Sequence, residues 1–221
     1  TLNQGFKGYS LRRHLGDSPS FTTMTELTVT SLQRQEIRRH IRQLRRTLSV
    51  EQQTHLAQQA AARMMAYPPV VMAHTVALFL SFDGELDTRP LIEQLWRAGK
   101  RVYLPVLHPF SPGNLLFLHY HPQSELVVNR LKIHEPKLDV RDVLPLAQLD
   151  VLVTPLVAFD GQGQRLGMGG GFYDRTLQNW QQYRLQPVGY AHDCQRVEAL
   201  PVEEWDIPLP AVVTPSVLWE W

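Results

Sequence analysis

The sequence contains a single cysteine, Cys194, among 221 residues. An internal disulfide is therefore excluded, and a reducing compartment, the cytoplasm, is the expected setting. Cys194 itself is expected to be a small buried side chain rather than a reactive thiol. No apolar run approaches the roughly 18 to 20 residues of a membrane span, and no hydrophobic signal core stands near the N-terminus, so no membrane partner is expected. Charge of one sign is also lacking: 22 Lys and Arg against 21 Asp and Glu leave +1 overall. That balance offers no extended field for nucleic acid, and any anion site must be local. The two standard phosphate motifs are missing as well, since there is no Gly-x-x-x-x-Gly-Lys-Ser/Thr run and no early Gly-x-Gly-x-x-Gly after a strand.

What is present is ordinary globular usage, 43% hydrophobic and 19% charged, enough to build one substantial core. Residues 1–25 lack any sustained period and carry Ser18-Pro19-Ser20; they are expected to be a poorly ordered leader or an extension, with Met24 standing further in. The remainder, 26–221, is expected to be a single α/β domain.

From Ser31, the apolar residues Ile37, Ile41, Leu44 and Leu48 recur at spacings of three and four, which predicts an amphipathic helix with Arg34, Arg38, Arg42 and Arg45 on another face. Ser49 with Gln52 is a capping-box pattern. It opens a second helix that buries Ala57, Ala60, Ala61 and Met64 and stops at Pro68-Pro69. Thr75–Ser81 reads as a buried strand, Asp83-Gly84 as a turn, and Thr88 as the cap of a helix carrying Leu91, Ile92, Leu95 and Trp96. Gly99 ends that helix before a strand over Arg101–Val106. A further strand is expected over Leu115–Tyr120, then an irregular stretch through Glu135-Pro136. Asp150–Ala158 reads as the most apolar strand, Phe172 to about Tyr183 as helix, and Pro187–Ala191 as strand. Alternating strands and helices imply a three-layer α/β/α architecture around an open, mostly parallel sheet.

The chain from Arg165 through Leu166, Gly167, Met168, Gly169, Gly170, Gly171, Phe172 and Tyr173 to Asp174 lies between that strand and the following helix. Glycines there expose backbone N–H groups at a helix N-terminus, where an anion is favoured. The dipole contributes only about 0.3 to 1 kcal/mol at an exposed site, so a triphosphate also needs cationic side chains. Read on its own, the segment fits a phosphate-binding turn or a flexible surface turn. Asp174 fits either favourable charge–dipole placement or an oxygen ligand for Mg²⁺. Arg165 fits either a phosphate partner or a solvated loop charge.

Phe159-Asp160 followed by Arg165-Leu-Gly-Met-Gly-Gly-Gly-Phe-Tyr-Asp174 resembles the signature of the 5-formyltetrahydrofolate cyclo-ligases, and corresponding features run from about Arg34 to Thr214. The resemblance implies an ATP-dependent closure of 5-formyltetrahydrofolate to 5,10-methenyltetrahydrofolate with release of ADP and phosphate. It also implies Mg²⁺ as cofactor, a monomer without nucleic-acid or membrane partners, and the NagB/RpiA/CoA-transferase-like architecture. The site residues it implies are Arg34, Arg38 and Arg165–Tyr173 for ATP, with Arg165 and Tyr173 catalytic. Leu80, Glu85 and Met168–Phe172 would face the folate, and Asp174 with Asp206 the metal. Lys100, Glu135-Pro136 and Gln195 agree with the family pattern in supporting roles. Some members carry lysine at Gly170 and tyrosine at Phe172. The implied rivals are another ATP-dependent kinase or ligase and a non-catalytic nucleotide- or phosphosugar-binding module.

Overall fold

The computed structural model describes residues 21–221, and their side chains from residue 29 onward. The leader expected over residues 1–25 lies outside the described residues, except that 21–25 open the first helix. That helix, α1 (Phe21–Arg46), starts before Ser31. Its inward face differs from the expected one: Arg34, Ile41 and Arg45 are buried and Ile37 and Arg38 half-buried, whereas Leu44 is exposed. Arginines and isoleucines thus share the buried stripe, because partners far along the chain neutralise the guanidinium groups, as described below.

Helix α2 (Val50–Ala66) opens as expected. The Gln52 N–H donates to Ser49 Oγ at 3.1 Å, and the Ser49 N–H donates to Gln52 Oε1 at 2.8 Å. Its small face, Ala57, Ala60, Ala61 and Met64, is fully buried, which lets the helix lie close to the sheet. Pro68 and Pro69 do more than stop it: they occupy the first turn of a short helix α3 (Pro68–Met72), where a missing N–H costs nothing. Lys100 anchors the end of α3, its Nζ donating to Val71 O at 3.0 Å and Ala73 O at 2.7 Å.

The strands follow as β1 (Thr75–Ala77), β2 (Arg101–Leu107) and β3 (Leu115–Tyr120), with α4 (Arg89–Arg97) between β1 and β2. A hairpin, β4 (Leu126–Val128) with β5 (His134–Pro136), forms where an irregular stretch was expected. Then come β6 (Val143–Leu144), β7 (Val151–Thr154), β8 (Ala158–Phe159), β9 (Arg165–Leu166) and α5 (Phe172–Leu177). The chain ends with β10 (Gln186–Tyr190), β11 (Ala211–Val213) and β12 (Leu218–Glu220). The main sheet has the order β12-β11-β10-β7-β1-β2-β3-β6. Its central strands β11, β10, β7, β1 and β2 are parallel, and antiparallel strands close both edges.

The period-two alternation of strand side chains builds two cores. Val76, Val102, Val151, Val153 and Val188 face α2 and α4, whereas Ala77, Tyr103, Leu152 and Val212 face α5. These faces give the three-layer α/β/α arrangement. A smaller cluster of Ile41, Val157, Ala158, Leu166 and Leu200 docks α1 on the chain beyond β7.

The strand expected over 75–81 ends at Ala77, and three further departures have local reasons. The strand expected over 150–158 ends at Thr154, because Pro155 has no N–H for the ladder. Gln195 instead satisfies the chain beyond it, Nε2 donating to Leu156 O at 2.8 Å and Val157 O at 3.1 Å. Helix α5 stops at Leu177 rather than near Tyr183, with Asn179 in a left-handed conformation (φ 61°). Thr88 does not cap α4: its hydroxyl donates to Phe79 O at 2.6 Å, while Asp87 accepts the Arg89 N–H at 3.0 Å.

Candidate active site

The sheet order reverses between β1 and β7, since the chain leaves β1 toward β2 on one side and later returns to β7 on the other. Open parallel sheets form clefts beyond the carboxyl ends of such strands. A cavity of about 810 Å³ lies there, a size suited to a ligand larger than a nucleotide alone. Leu80 from the loop after β1, Leu156 from the loop after β7, and Leu104 and Leu107 of β2 line it.

Three arginines line the cleft. Arg38 reaches from α1 to the glycine turn, its Nε donating to Gly167 O at 2.7 Å, and burial pulls its pKa below the usual arginine range. Arg165 is 6% exposed. Its Nε donates to Pro155 O at 2.9 Å, its guanidinium carbon lies 5.5 Å from the Tyr173 ring centre, and Nη1 stands 3.8 Å from Asp174 Oδ1. Burial lowers the Arg165 pKa against the opposing pull of Asp174, and burial raises that of Tyr173. A Cβ on Gly167 would meet Arg165 Nη2 at 3.0 Å, so the glycine leaves room for this guanidinium under the turn. Gly169 has φ 108°, a conformation open to glycine and costly for other residues.

Arg34 is held differently from the other two arginines. Its Nη1 lies 2.6 Å and its Nη2 3.1 Å from the oxygens of Asp206, and Nη1 also donates to Pro201 O at 3.1 Å. Removing one partner of so buried a bidentate pair costs about 3 to 5 kcal/mol. Asp174 Oδ1 accepts the Ile207 N–H at 3.1 Å, which brings its carboxylate next to the chain segment bearing Asp206.

The cleft also holds a buried acid. Glu85 is 9% exposed, and burial raises its pKa to about 7. Its Oε2 accepts the Phe82 N–H at 3.1 Å. Across the cleft Glu135 Oε2 accepts the Leu107 N–H at 3.1 Å and Asn129 Nδ2 at 2.9 Å, which fixes the β4–β5 hairpin as a wall.

Of the residues singled out in the sequence, Arg34, Arg38, Leu80, Glu85, Arg165, Gly167–Tyr173 and Asp174 all line this one cleft. Asp206 stands behind Arg34 at its edge. Leu166 does not reach the cleft: it is 1% exposed and packs with Ile41 and Val157, as alternation from Arg165 requires. The hairpin wall and the exposed Trp205 were missed; the hairpin strands are too short and half-exposed to show a period. Among the described residues no group of three or more His, Cys, Asp or Glu forms a metal cage. Asp174 and Asp206 nevertheless supply the hard oxygen donors Mg²⁺ takes, and Mg²⁺ is typically held by one or two carboxylates plus substrate phosphates. The donor set fits a metal that arrives with a nucleotide.

Fold and cleft together define an α/β protein whose switch-point cleft is lined by arginines, a glycine turn and a buried acid. Comparison with known proteins makes the class specific. A model described as the 5-formyltetrahydrofolate cyclo-ligase family matches residues 30–215. The chain is 85% identical over 181 residues to the 5-formyltetrahydrofolate cyclo-ligase of Escherichia coli, covering 82% of this chain and 100% of that protein. It is 53% identical over 176 residues to that of Haemophilus influenzae, covering 80% and 94%. The NMR structure of the Aquifex aeolicus 5,10-methenyltetrahydrofolate synthetase superposes with a TM-score of 0.73 at 29% identity, covering 85% of this chain and 92% of that one. The chain belongs to the 5-formyltetrahydrofolate cyclo-ligase family, whose reaction is the ATP-dependent conversion of 5-formyltetrahydrofolate to 5,10-methenyltetrahydrofolate.

Proposed function

We propose that this chain carries out its family's reaction in the cleft beyond β1 and β7, with ATP at the arginine–glycine end and the pterin at the Glu85 end. The observation that carries the assignment is the make-up of one cleft: Arg38, Arg165 and the glycine turn line it together with Glu85, a buried carboxylate.

A formyl amide carbon resists attack because its oxygen is a poor leaving group, and phosphorylation corrects this. The formyl oxygen attacks the γ-phosphorus and ADP departs. The neighbouring exocyclic nitrogen then attacks the activated carbon and gives up its proton to solvent, and the C–O bond breaks to release phosphate as the ring closes. Positioning and charge stabilisation are the protein's main tasks. Arg165, held against Pro155 O and the Tyr173 ring, presents fixed positive charge where phosphoryl oxygens gather. Arg38 ties the turn to α1, so the glycine N–H groups keep their direction. Glu85 accepts hydrogen bonds from the pterin's amino and ring N–H donors, exchanging its uncompensated burial for paired burial. Asp174 and Asp206 would hold Mg²⁺, which supplies neutralisation of phosphate charge when bound; Asp206 would then share its oxygens with Arg34.

Binding of nucleic acid through the α1 arginines finds no support, because Arg34 is committed to Asp206 and Arg42, Arg45 and Arg46 to Asp83. The same reading takes the enzyme to be a cytoplasmic monomer, in keeping with its lone cysteine.

The test is the appearance of methenyltetrahydrofolate absorbance from 5-formyltetrahydrofolate, with ATP and Mg²⁺ supplied or withheld. Asp174→Asn is the cleaner probe of the metal role, since Asp206→Asn would break the close bidentate Arg34 pair whereas Asp174 stands 3.8 Å from Arg165. Turnover is expected to fall at least 100-fold, on the order expected when several kcal/mol of transition-state charge stabilisation is lost, with a drop in melting temperature from the loss of the carboxylate beside Arg165. Near-normal turnover at limiting Mg²⁺ would remove Asp174 from the metal site.

A further inference from the structure

Glu85 is carried by an unusual turn. Its N–H donates to Phe82 O at 3.1 Å while its carboxylate accepts the Phe82 N–H. Between them, Asp83 (φ 53°) and Gly84 (φ 75°) are consecutive left-handed residues. Glycine adopts that conformation freely and aspartate is among the few other residues that tolerate it. Such a turn needs external support to persist, and the support comes from behind, on the side away from the cleft.

Three arginines from the end of α1 converge on Asp83. Arg42 Nε donates to Oδ2 at 2.7 Å, Arg46 Nε to Oδ1 at 2.7 Å, and Arg45 Nη2 to Oδ2 at 3.3 Å. Arg45 Nε also donates to the Asp83 backbone O at 2.8 Å. The Gly84 carbonyl accepts from Gln53 Nε2 at 3.2 Å and faces His192 Nε2 at 3.2 Å. A carbonyl only accepts, so that contact sets the proton on His192 Nε2 and leaves Nδ1, which is buried without a partner, as the bare nitrogen. Arg45 is wholly buried, and a Cβ at Gly84 would come within 3.2 Å of its Cγ and 3.3 Å of its backbone O. The turn is pressed against α1 with no room to swing back. Neither Asp83 nor Arg42, Arg45 or Arg46 lines the cleft.

We propose that Asp83, gripped by the Arg42–Arg45–Arg46 fork, is a positioning residue for Glu85: it locks the left-handed turn so that the buried carboxylate stays aimed into the folate end of the cleft. The inference rests on the reading of Glu85 as a folate contact. A buried acid without a charged partner gains by moving toward water, and the turn is the element that would let it move. Asparagine at 83 would keep the shape and the left-handed backbone but remove the anion that gathers the three guanidinium groups.

The experiment is a double-mutant cycle in the full chain with Asp83→Asn and Glu85→Ala. It reads KM for 5-formyltetrahydrofolate, KM for ATP, and amide hydrogen exchange at Phe82 and Glu85. Asp83→Asn is expected to raise the folate KM about tenfold, leave the ATP KM within about twofold, and speed exchange at the Phe82 amide at least tenfold. In the Glu85→Ala background it should add nothing to the folate KM. Unchanged exchange at Phe82, or an effect on folate KM that is as large without Glu85 as with it, overturns the proposal. A Glu85→Ala protein with normal folate KM would instead overturn the underlying reading of Glu85, and the functional part of the proposal with it. Should Asp83→Asn fail to fold, Arg42→Ala with Arg46→Ala trims the two more exposed arms of the fork, and the same split between folate and ATP is expected on a smaller scale.

Discussion

Replacing Glu85 by glutamine should stabilise the protein and impair it at once. Burial raises the Glu85 pKa from 4.5 to about 7, so above pH 7 the folded state must hold a desolvated carboxylate. Glutamine keeps an acceptor for the Phe82 N–H and has no charge. The sign follows from where protons sit: below pH 4.5 both folded and unfolded chains hold the proton, and Glu85 costs nothing. Between pH 4.5 and 7 the unfolded chain releases it while the folded chain retains it, so wild-type stability falls as pH rises and levels off above 7. At about 1.36 kcal/mol for each pH unit, the difference approaches about 3 kcal/mol by pH 8. Glu85→Gln should therefore unfold at higher urea concentration than wild type at pH 8, with a melting temperature roughly 6 to 10 °C higher for a chain of this size, and the gain should vanish near pH 4.5. Its folate KM should rise about tenfold, a loss of the order of one charged hydrogen bond. A stability difference equal at pH 4.5 and pH 8 would refute the claim that burial of charge is what Glu85 costs. A gain at pH 8 with normal folate KM would refute the claim that the cost is retained for binding.

Gly169→Ala should lower stability by about 1 to 3 kcal/mol through backbone strain at φ 108°, read as a drop in melting temperature; its Cβ meets nothing nearer than Arg38 Cζ at 3.7 Å, so a clash cannot be the cause. His192 titrates in the opposite sense to Glu85, because burial lowers its pKa from 6.5 to about 4. Its contribution is complete above pH 6.5 and is lost as pH falls toward 4, so His192→Gln, which keeps a donor for Gly84 O, should flatten the acid limb of a urea-midpoint profile over that window.

The core and the topology were readable in the sequence wherever the signal was local and periodic. The capping box at Ser49, the small face of α2 and the short apolar runs of β1 and β7 are each fixed by neighbours within a few residues. The inward face of α1 was not readable for the opposite reason. Arg34 pairs with Asp206 across 172 positions, Arg38 with Gly167 across 129, and Arg45 with Asp83 across 38; before those partners are known, an arginine stripe looks like a solvated face. Pro155 announces a break in the strand, yet the pairing of β8 with β9 beyond it depends on Gln195, which arrives much later in the chain. At the site, the glycine turn was visible as a phosphate candidate from its composition. The burial of Glu85 was not, because the left-handed turn that carries it is held by Arg45, 38 positions before Asp83.

One physical arrangement accounts for the unexpected face of α1. Arg34, Arg38 and Arg45 lie at helical spacing on one stripe, spanning eleven residues or about 16 Å at 1.5 Å per residue. The first holds Asp206, the second holds the glycine turn, and the third holds the turn beneath Glu85. A solvated stripe would not need these spacings, and an apolar one could not make these contacts. Because a packed helix moves as a rigid unit more readily than it bends, the glycine turn and the turn beneath Glu85 are held by one common element. The two substrates must meet with the formyl oxygen in line with the γ-phosphorus, and misplacement by an ångström can cost on the order of 100-fold in rate. One helix therefore grips the glycine turn and the turn beneath Glu85 together, through the half-buried Arg38 and the wholly buried Arg45.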